Sequence, residues 1–255
     1  MTPIGSPAWV ITTGGTLTRR DQLRFALDAI GREVADTVSR LRGGPLGMIS
    51  VSEVTAPDTA LVRDIADEAA RVLPPPVLNH SLRTWMWGEL LGRLDGITYD
   101  TELLHVAALL HDIGLSEDHR PPSGAGCFAV HGGEEARRIL HASGADEAFA
   151  SDAASAIAAH FNVRVPLAWG AEAHLLHAGA HLDVVGRRVS HLPAEAVTEV
   201  NARLPRDGFA NFFIDAMQRE AHSRPRSRAG LLWRLGMRRA IRRSPVPEQK
   251  RSSDV

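Results

Sequence analysis

The chain has 255 residues, of which 44% are hydrophobic, and a chain of this size can bury the core of one large domain. Its 29 basic and 30 acidic side chains nearly cancel, so the whole-chain charge gives no reason to expect nucleic acid or an acidic surface as partner. The single cysteine, Cys127, excludes an internal disulfide, and the amino terminus lacks the pattern of a signal peptide. No apolar run approaches the roughly 20 residues of a membrane-spanning helix. We therefore expect a cytoplasmic protein without a membrane span.

Helical periodicity runs through most of the sequence. Residues 20–42 place Leu23, Leu27 and Ile30 at helical spacing between charged residues, which predicts an amphipathic helix. The same spacing predicts further helices at 59–73, 77–93, 101–111, 133–143, 147–161 and 171–186. No segment has the alternation of a half-buried strand. The sequence therefore predicts an all-α fold, a helical bundle.

Local signals place the helix ends and the loops. Three prolines at 74–76 stop one helix and begin the next, because proline is tolerated in a first turn. Asp100 or Thr101 can cap the following helix, and Gly114 is the expected stop. Residues 116–130 lack periodicity and are predicted to form a long loop, a kind of segment that is often functional.

Composition divides the chain into three segments. Residues 1–55 hold the N-terminal helix and its connection, residues 56–222 the main helical domain, and residues 223–255 an arginine-rich tail with few acids. We expect the tail to be flexible. Its apolar residues from Leu231 to Ile241 could form a short amphipathic helix that touches an anionic partner such as lipid or RNA.

Four polar residues fall on the apolar sides of three predicted helices. His111 continues an apolar stripe and Asp112 follows at the helix end, while His80 and Asp183 each lie on an apolar helix face. Buried imidazoles and carboxylates need partners, and a divalent ion satisfies both. Two nitrogens and two carboxylates suit zinc, and also iron or manganese. With four protein ligands, positions remain for a water whose pKa the ion lowers.

The order of these residues resembles a known signature. His80, then His111-Asp112 within LLHDIG, then Asp183 resembles the H…HD…D pattern of the HD-domain superfamily of helical metal-dependent phosphohydrolases and their relatives. The stretches NHSLRTWMWG (79–88), FAVHGGEEARRIL (128–140) and AIAAHFNV (156–163) through HAGAHLDVVG (177–186) resemble its cyanamide hydratase-like branch. The resemblance covers about residues 60–190 and implies an HD-type bundle with a central metal site.

Further residues are candidates for the same site. His131 and His160 fall where some relatives in the superfamily add two histidines for a second metal, so each is a candidate second ligand or catalytic residue. Asn79 and Arg83 flank His80 and could orient the substrate, although a helix-surface salt bridge explains Arg83 equally well.

Three hypotheses of function follow from these residues. The first is a metal-dependent hydrolase or hydratase that acts on a small nitrile-like or amide-like molecule, as the resemblance implies. The second is an HD-type phosphohydrolase of nucleotides or phosphomonoesters. Many phosphate-directed relatives have lysine directly after the HD-I-G run, where this chain has Leu115, although Arg83, Arg137 or Arg164 could supply a phosphate clamp. The third is a di-iron oxygenase that uses His131 and His160, or a ligand-binding module without catalysis.

Overall fold

The computed structural model describes residues 2–42 and 49–247, and the regular elements of these residues are all helices. The α-helices, in chain order, are α1 (Pro7–Thr13), α2 (Arg19–Arg42), α3 (Ala60–Val72), α4 (Pro75–Asp95), α5 (Thr101–Leu110), α6 (Phe128–Ala142), α7 (Glu147–His160), α8 (Ala171–Val185), α9 (Ala194–Arg203), α10 (Phe209–Ser223), α11 (Arg228–Arg234) and α12 (Met237–Arg242). This confirms the predicted all-α class. Among the described helices, none is long and apolar enough to cross a membrane.

The core lies between α4, α5, α7 and α8. Helix α4 packs along α8, α5 contacts both of them, and α6 lies along α7. Fully buried side chains from these helices fill the interior, among them Trp87, Leu90, Leu104 and Leu176. Burial of each such side chain stabilises the fold by about 1.5–3 kcal/mol. The three helices that carry the predicted metal ligands are therefore fixed against one another by the main core.

Small residues allow α4 and α8 to approach closely. A Cβ added at Gly179 would press against the Thr84 carbonyl oxygen and lie 3.0 Å from the Gly88 nitrogen. Thr84 and Gly88 thus form the part of α4 that Gly179 of α8 approaches. The contact holds His80, one turn before Thr84, within reach of Asp183, one turn after Gly179.

Helix α5 begins as predicted but ends earlier. The Asp100 side chain accepts hydrogen bonds from the Glu102 and Leu103 amides, which confirms it as the N-cap. The α-helix stops at Leu110, with His111 as its C-cap, and Gly114 lies in a short 3-10 turn. Gly114 serves close packing instead, because a Cβ there would meet the Phe128 carbonyl oxygen at 2.6 Å. The early end turns Asp112 toward the interior.

Helix α2 does not bury the stripe that its periodicity suggests. Leu23, Leu27 and Ile30 are 63%, 61% and 56% exposed, whereas Phe25 of the same helix is buried. The hydrophobic spacing thus identified the helix correctly without identifying which face is buried.

The described part of the arginine-rich tail is folded. Residues 228–242 form α11 and α12, with Arg228 and Leu231 buried. The Arg228 guanidinium donates to Asn162 Oδ1 at 2.6 Å and to the Ala158 carbonyl at 2.8 Å. These contacts join α11 to the end of α7. Residues 248–255 lie outside the described residues.

The α4–α8 contact makes a testable prediction about stability. Gly179→Ala should lower the free energy of unfolding by about 1–3 kcal/mol, because the added methyl group overpacks the helix contact. Gly31→Ala, in α2 with no atom within 4 Å of an added Cβ, is the matched control and should be neutral or stabilise by about 0.5–1 kcal/mol. Urea unfolding of both variants measures the difference. Equal stabilities would show that the close helix approach carries no such constraint.

Candidate metal centre

Helices α4 and α5 bring three of the predicted ligands together in the interior. His80 Nε2 lies 3.2 Å from His111 Nε2, and Asp112 Oδ2 lies 3.5 Å from each of these nitrogens. All three side chains are buried. Within residues 2–42 and 49–247, these three residues are the group of at least three His, Cys, Asp or Glu side chains that could hold a metal ion. Their ligand atoms all lie within 4.8 Å of one another.

The surrounding hydrogen bonds set the tautomers of the two imidazoles. His111 Nδ1 lies 2.7 Å from the Ala108 carbonyl oxygen, and His80 Nδ1 lies 2.7 Å from Asp183 Oδ2. Each of these oxygens accepts, so each Nδ1 carries a hydrogen and each Nε2 presents its lone pair to the centre. Metal-binding histidines are usually oriented by a hydrogen bond at the ring nitrogen that does not bind the metal, and both rings have such a bond at Nδ1.

The donor set fits a divalent ion. Both carboxylate oxygens of Asp112 are buried without a hydrogen-bond partner, which is costly unless a cation is supplied. Two donors about 2.1 Å from one tetrahedral ion lie about 3.4 Å apart. The separations of 3.2–3.5 Å among His80, His111 and Asp112 match that spacing.

The electrostatics of the cluster also favour a cation. Burial alone would lower the pKa of His80, but the contacts with Asp112 and Asp183 outweigh it and raise the pKa. Burial lowers the pKa of His111, whereas the two histidines lower the pKa of Asp112 against the effect of its burial. Without an ion, the cluster therefore favours the protonated form of His80. A metal ion would compete with this proton for the histidine.

Asp183 lies behind His80. Its Oδ1 accepts from Arg83 Nε at 2.8 Å and from Trp87 Nε1 at 2.9 Å. Its Oδ2 contacts His80, Arg83 Nη2 at 3.0 Å and Arg206 Nη1 at 3.2 Å. Burial would raise the pKa of Asp183, but Arg83 and Arg206 hold it well below the usual value. The structure thus places this predicted ligand next to the three-donor cluster and already surrounded by protein donors.

The two additional histidines have different positions. His160 is buried, its Nδ1 lies 2.6 Å from the Ile157 carbonyl oxygen, and its Nε2 lies 3.6 Å from Asp112 Oδ1. His131 is 19% exposed and its Nε2 lies 3.4 Å from Glu135 Oε1. The structure brings His160 to the centre and places His131 in a surface network.

The two residues expected to orient the substrate face the protein instead. Asn79 Nδ2 donates to the Pro205 carbonyl oxygen at 3.2 Å. Arg83 is fully buried, binds Asp183 and donates from Nη1 to the Leu204 and Pro205 carbonyl oxygens. Both side chains hold the connection between α9 and α10, and the ion pair of Arg83 with Asp183 is fully buried.

Sequence reasoning missed two residues beside the centre, Arg206 on that connection and Phe209 in α10. Arg206 is buried and also donates to the Asp183 main-chain carbonyl. Phe209 stacks on the His80 ring at 4.4 Å between centroids, with 22° between the planes. Neither residue carries a local motif, because both contacts join elements that are distant in sequence: Arg206 reaches α8, and Phe209 reaches α4 more than a hundred residues earlier.

A cavity of about 760 Å³ opens from the cluster toward α2, α8 and α12. His80, His111, Asp112 and His160 form its inner end. The remaining wall combines residues of the main helical domain with residues of the N-terminal helix and the tail. The cluster is therefore reachable by a small molecule.

Comparison with known proteins agrees with this arrangement. Residues 77–196 match the HD domain family, which identifies this segment of the chain as an HD domain. Within that family, the chain resembles the cyanamide hydratase-like branch: it is 26% identical over 175 residues to cyanamide hydratase DDI2 and, equally, to cyanamide hydratase DDI3, both of Saccharomyces cerevisiae. Each alignment covers 68% of this chain and 77% of the relative. These matches support a metal-dependent hydrolytic enzyme in general.

The two aspartates should respond differently to neutralisation. Asp112→Asn removes a charge that makes no hydrogen bond, so in chelator the free energy of unfolding should change by no more than about 1 kcal/mol. With metal at about 100 times its dissociation constant, the wild type should gain about 2.7 kcal/mol and the variant much less. Thermal unfolding with chelator and with added zinc, manganese or iron measures both effects.

Asp183→Asn is the matched comparison. It leaves two buried arginines without their counter-charge, so it should cost about 3–5 kcal/mol even in chelator. If Asp183→Asn is harmless in chelator and loses only the metal-linked gain, Asp183 is a metal ligand and not a partner of Arg83 and Arg206.

Proposed function

We propose that this protein is a metal-dependent hydratase or hydrolase that adds water to a carbon–nitrogen bond of a nitrile-like or amide-like substrate. The observation that carries the proposal is the buried cluster of His80, His111 and Asp112 at the inner end of an open cavity. Similarity to two cyanamide hydratases supports the choice of substrate class, with cyanamide as its smallest member.

We assign the ion to His80 Nε2, His111 Nε2 and Asp112, with zinc as the first candidate and iron or manganese as the others. When bound, the ion supplies Lewis acidity, which lowers the pKa of water toward 7. Asp183 keeps the hydrogen of His80 on Nδ1 and so keeps Nε2 available. This assignment departs from the expectation that Asp183 is itself a ligand.

His160 is the residue that we propose to move protons. Burial lowers the pKa of His160 to about 3, so its imidazole is neutral; its Nδ1 faces the Ile157 carbonyl oxygen, which leaves Nε2 as the nitrogen without a hydrogen beside the cluster. During nitrile hydration the water oxygen bonds to carbon and one carbon–nitrogen π bond breaks. His160 takes a proton from the attacking water and returns it to the nitrogen, and tautomerisation gives the amide. No oxidant, reductant or leaving group is needed.

The positions of the arginines favour a neutral reacting group over a phosphate. Arg83 is occupied by Asp183 and two carbonyl groups. Arg137 pairs with Glu134 and Glu147 at the surface, and Arg164 is exposed. None of the three arginines that could have formed a phosphate clamp lines the cavity. A phosphohydrolase therefore remains the second candidate, since the three arginines expected to form a phosphate clamp do not face the cavity.

The di-iron hypothesis would need a second set of ligands beside the first. His131 contacts Glu135, whose other partners include His119 and Arg138, and this group lies outside the cavity lining. The contacts of His131 thus give the oxygenase hypothesis no support, and metal analysis tests it independently.

A substrate screen tests the proposed function. Purified protein should contain close to one divalent ion per chain, and it should convert cyanamide or a simple nitrile to the corresponding amide product. Phosphomonoesters and nucleotides should be turned over far more slowly. Two irons per chain, or turnover of phosphoesters alone, would contradict the proposal.

His160→Gln tests the proton transfer. Removal of a general base costs typically 10²–10⁴-fold, so kcat should fall by about that factor while metal content and KM change little. His141→Gln is the control, because His141 pairs with Glu147 at the surface. If His160→Gln releases the metal instead, His160 is a ligand rather than a base.

A further inference from the structure

The cavity is much larger than the reacting group of the proposed function requires. Its volume of about 760 Å³ falls within the range of about 300–1,000 Å³ that is typical of pockets for drug-sized molecules. A nitrile of three non-hydrogen atoms would occupy on the order of two or three water volumes of about 30 Å³ each. Most of the cavity is therefore space for a part of the substrate that does not react.

The wall of that space is mainly apolar beyond the cluster. Helices α2, α8, α10, α11 and α12 contribute the apolar lining, which includes Ile30, Val184, Val185, Phe213, Leu232 and Met237. An apolar ligand gains affinity in proportion to the area it buries against such a wall. This lining suits an alkyl or aryl body, whereas a small polar molecule would gain little binding free energy from it.

The charges on the same wall are mostly balanced in pairs. Arg187 Nε lies 2.6 Å from Asp36 Oδ2, and the charge of Glu33 also acts on this guanidinium. Arg188 binds Asp95 through two contacts of 2.7 Å. Each of these arginines thus has an acid that offsets its charge.

Arg239 and Arg243 differ from the paired arginines. They lie four residues apart, Arg239 within α12 and Arg243 at its C-cap; both line the cavity, and both are exposed. Neither has an ion pair among residues 2–42 and 49–247. The outer cavity therefore carries two cationic groups that are available to an anion, while the inner end holds the metal cluster.

We propose that the substrate is an organic anion: one end carries the reactive carbon–nitrogen group, the body is apolar, and the other end is a carboxylate that binds Arg239 and Arg243. This substrate class rests on the proposed function for its reactive end only. The apolar body and the carboxylate rest on the cavity and on α12. Two guanidinium groups on one helix face suit a carboxylate because each can donate two parallel hydrogen bonds.

Ligand binding tests the proposal without any turnover. Isothermal titration calorimetry with octanoate, butanoate and octanamide separates chain length from charge. Octanoate should bind at least tenfold more tightly than butanoate, because more of its chain contacts the apolar wall. It should also bind more tightly than octanamide, which has the same length and no charge.

Variants of α12 locate the anion site. Arg239→Ala with Arg243→Ala should weaken octanoate binding about tenfold and leave octanamide unchanged. Arg238→Ala with Arg242→Ala is the matched control: it removes the same charge from exposed positions of the same helix that do not line the cavity, and it should change neither ligand. Circular dichroism verifies that both variants keep the helical content of wild type.

Each alternative outcome overturns a stated part of the proposal. If the two double variants weaken octanoate binding equally, α12 contributes only its overall positive charge, and Arg239 and Arg243 form no specific anion site. Octanoate binding that resists both pairs but disappears with chelator would place the carboxylate on the metal. If octanoate and butanoate bind equally tightly, the proposal that the substrate has an apolar body is wrong. None of these results depends on whether cyanamide or a nitrile is turned over, so the proposed function is judged separately.

Discussion

The carboxylate of Asp183 is bound from four sides, and the geometry of the centre depends on that arrangement. Arg83 and Arg206 supply the positive charge that allows this aspartate to be buried, and His80 and Trp87 fill the remaining acceptor positions. Removing one partner of a buried ion pair costs several kcal/mol, so the group is strongly held together. Because His80 is one of its members, the direction of its Nε2 is fixed by charges that never touch the cavity.

This arrangement separates two demands that would otherwise conflict. A metal site needs buried groups that lack partners until the ion arrives, whereas a stable fold needs every buried charge to be satisfied. Asp112, with two unbonded oxygens, meets the first demand, and Asp183 meets the second. The close contact at Gly179 brings the two helices near enough for one histidine to link both aspartates. Of the two aspartates at the centre, Asp112 is therefore the one that is left for an ion to satisfy.

Periodicity and capping predicted the seven helices α2 to α8, the all-α class and the burial of His80, His111 and Asp112, but they did not predict α1, α9 or α10. Local patterns could not predict contacts between distant parts of the chain. Arg206 lies in a connection without a motif, and its partner is 23 residues earlier on another helix. The buried face of α2 was likewise undetermined, because the exposed stripe with Leu23 and the buried Phe25 are both apolar. Which of two apolar faces is covered depends on the neighbouring elements, not on the helix itself.

The composition of the tail led to the expectation of a flexible segment, since arginines crowd there with few acids. The tertiary structure gives two of its arginine groups different roles: Arg228 is buried against Asn162 and Ala158, whereas Arg239 and Arg243 line the cavity. The residues that match the HD domain, 77–196, contain the metal cluster but neither α2 nor α12. The metal cluster and the part of the cavity wall that α2 and α12 form therefore belong to different parts of the chain. Because function resides in sites carried by a fold, relatives can share the cluster while α2 and α12 change the molecule that reaches it. Similarity within the HD domain thus bears on the reacting group, whereas the part of the substrate that does not react has to be inferred mainly from the helices outside it.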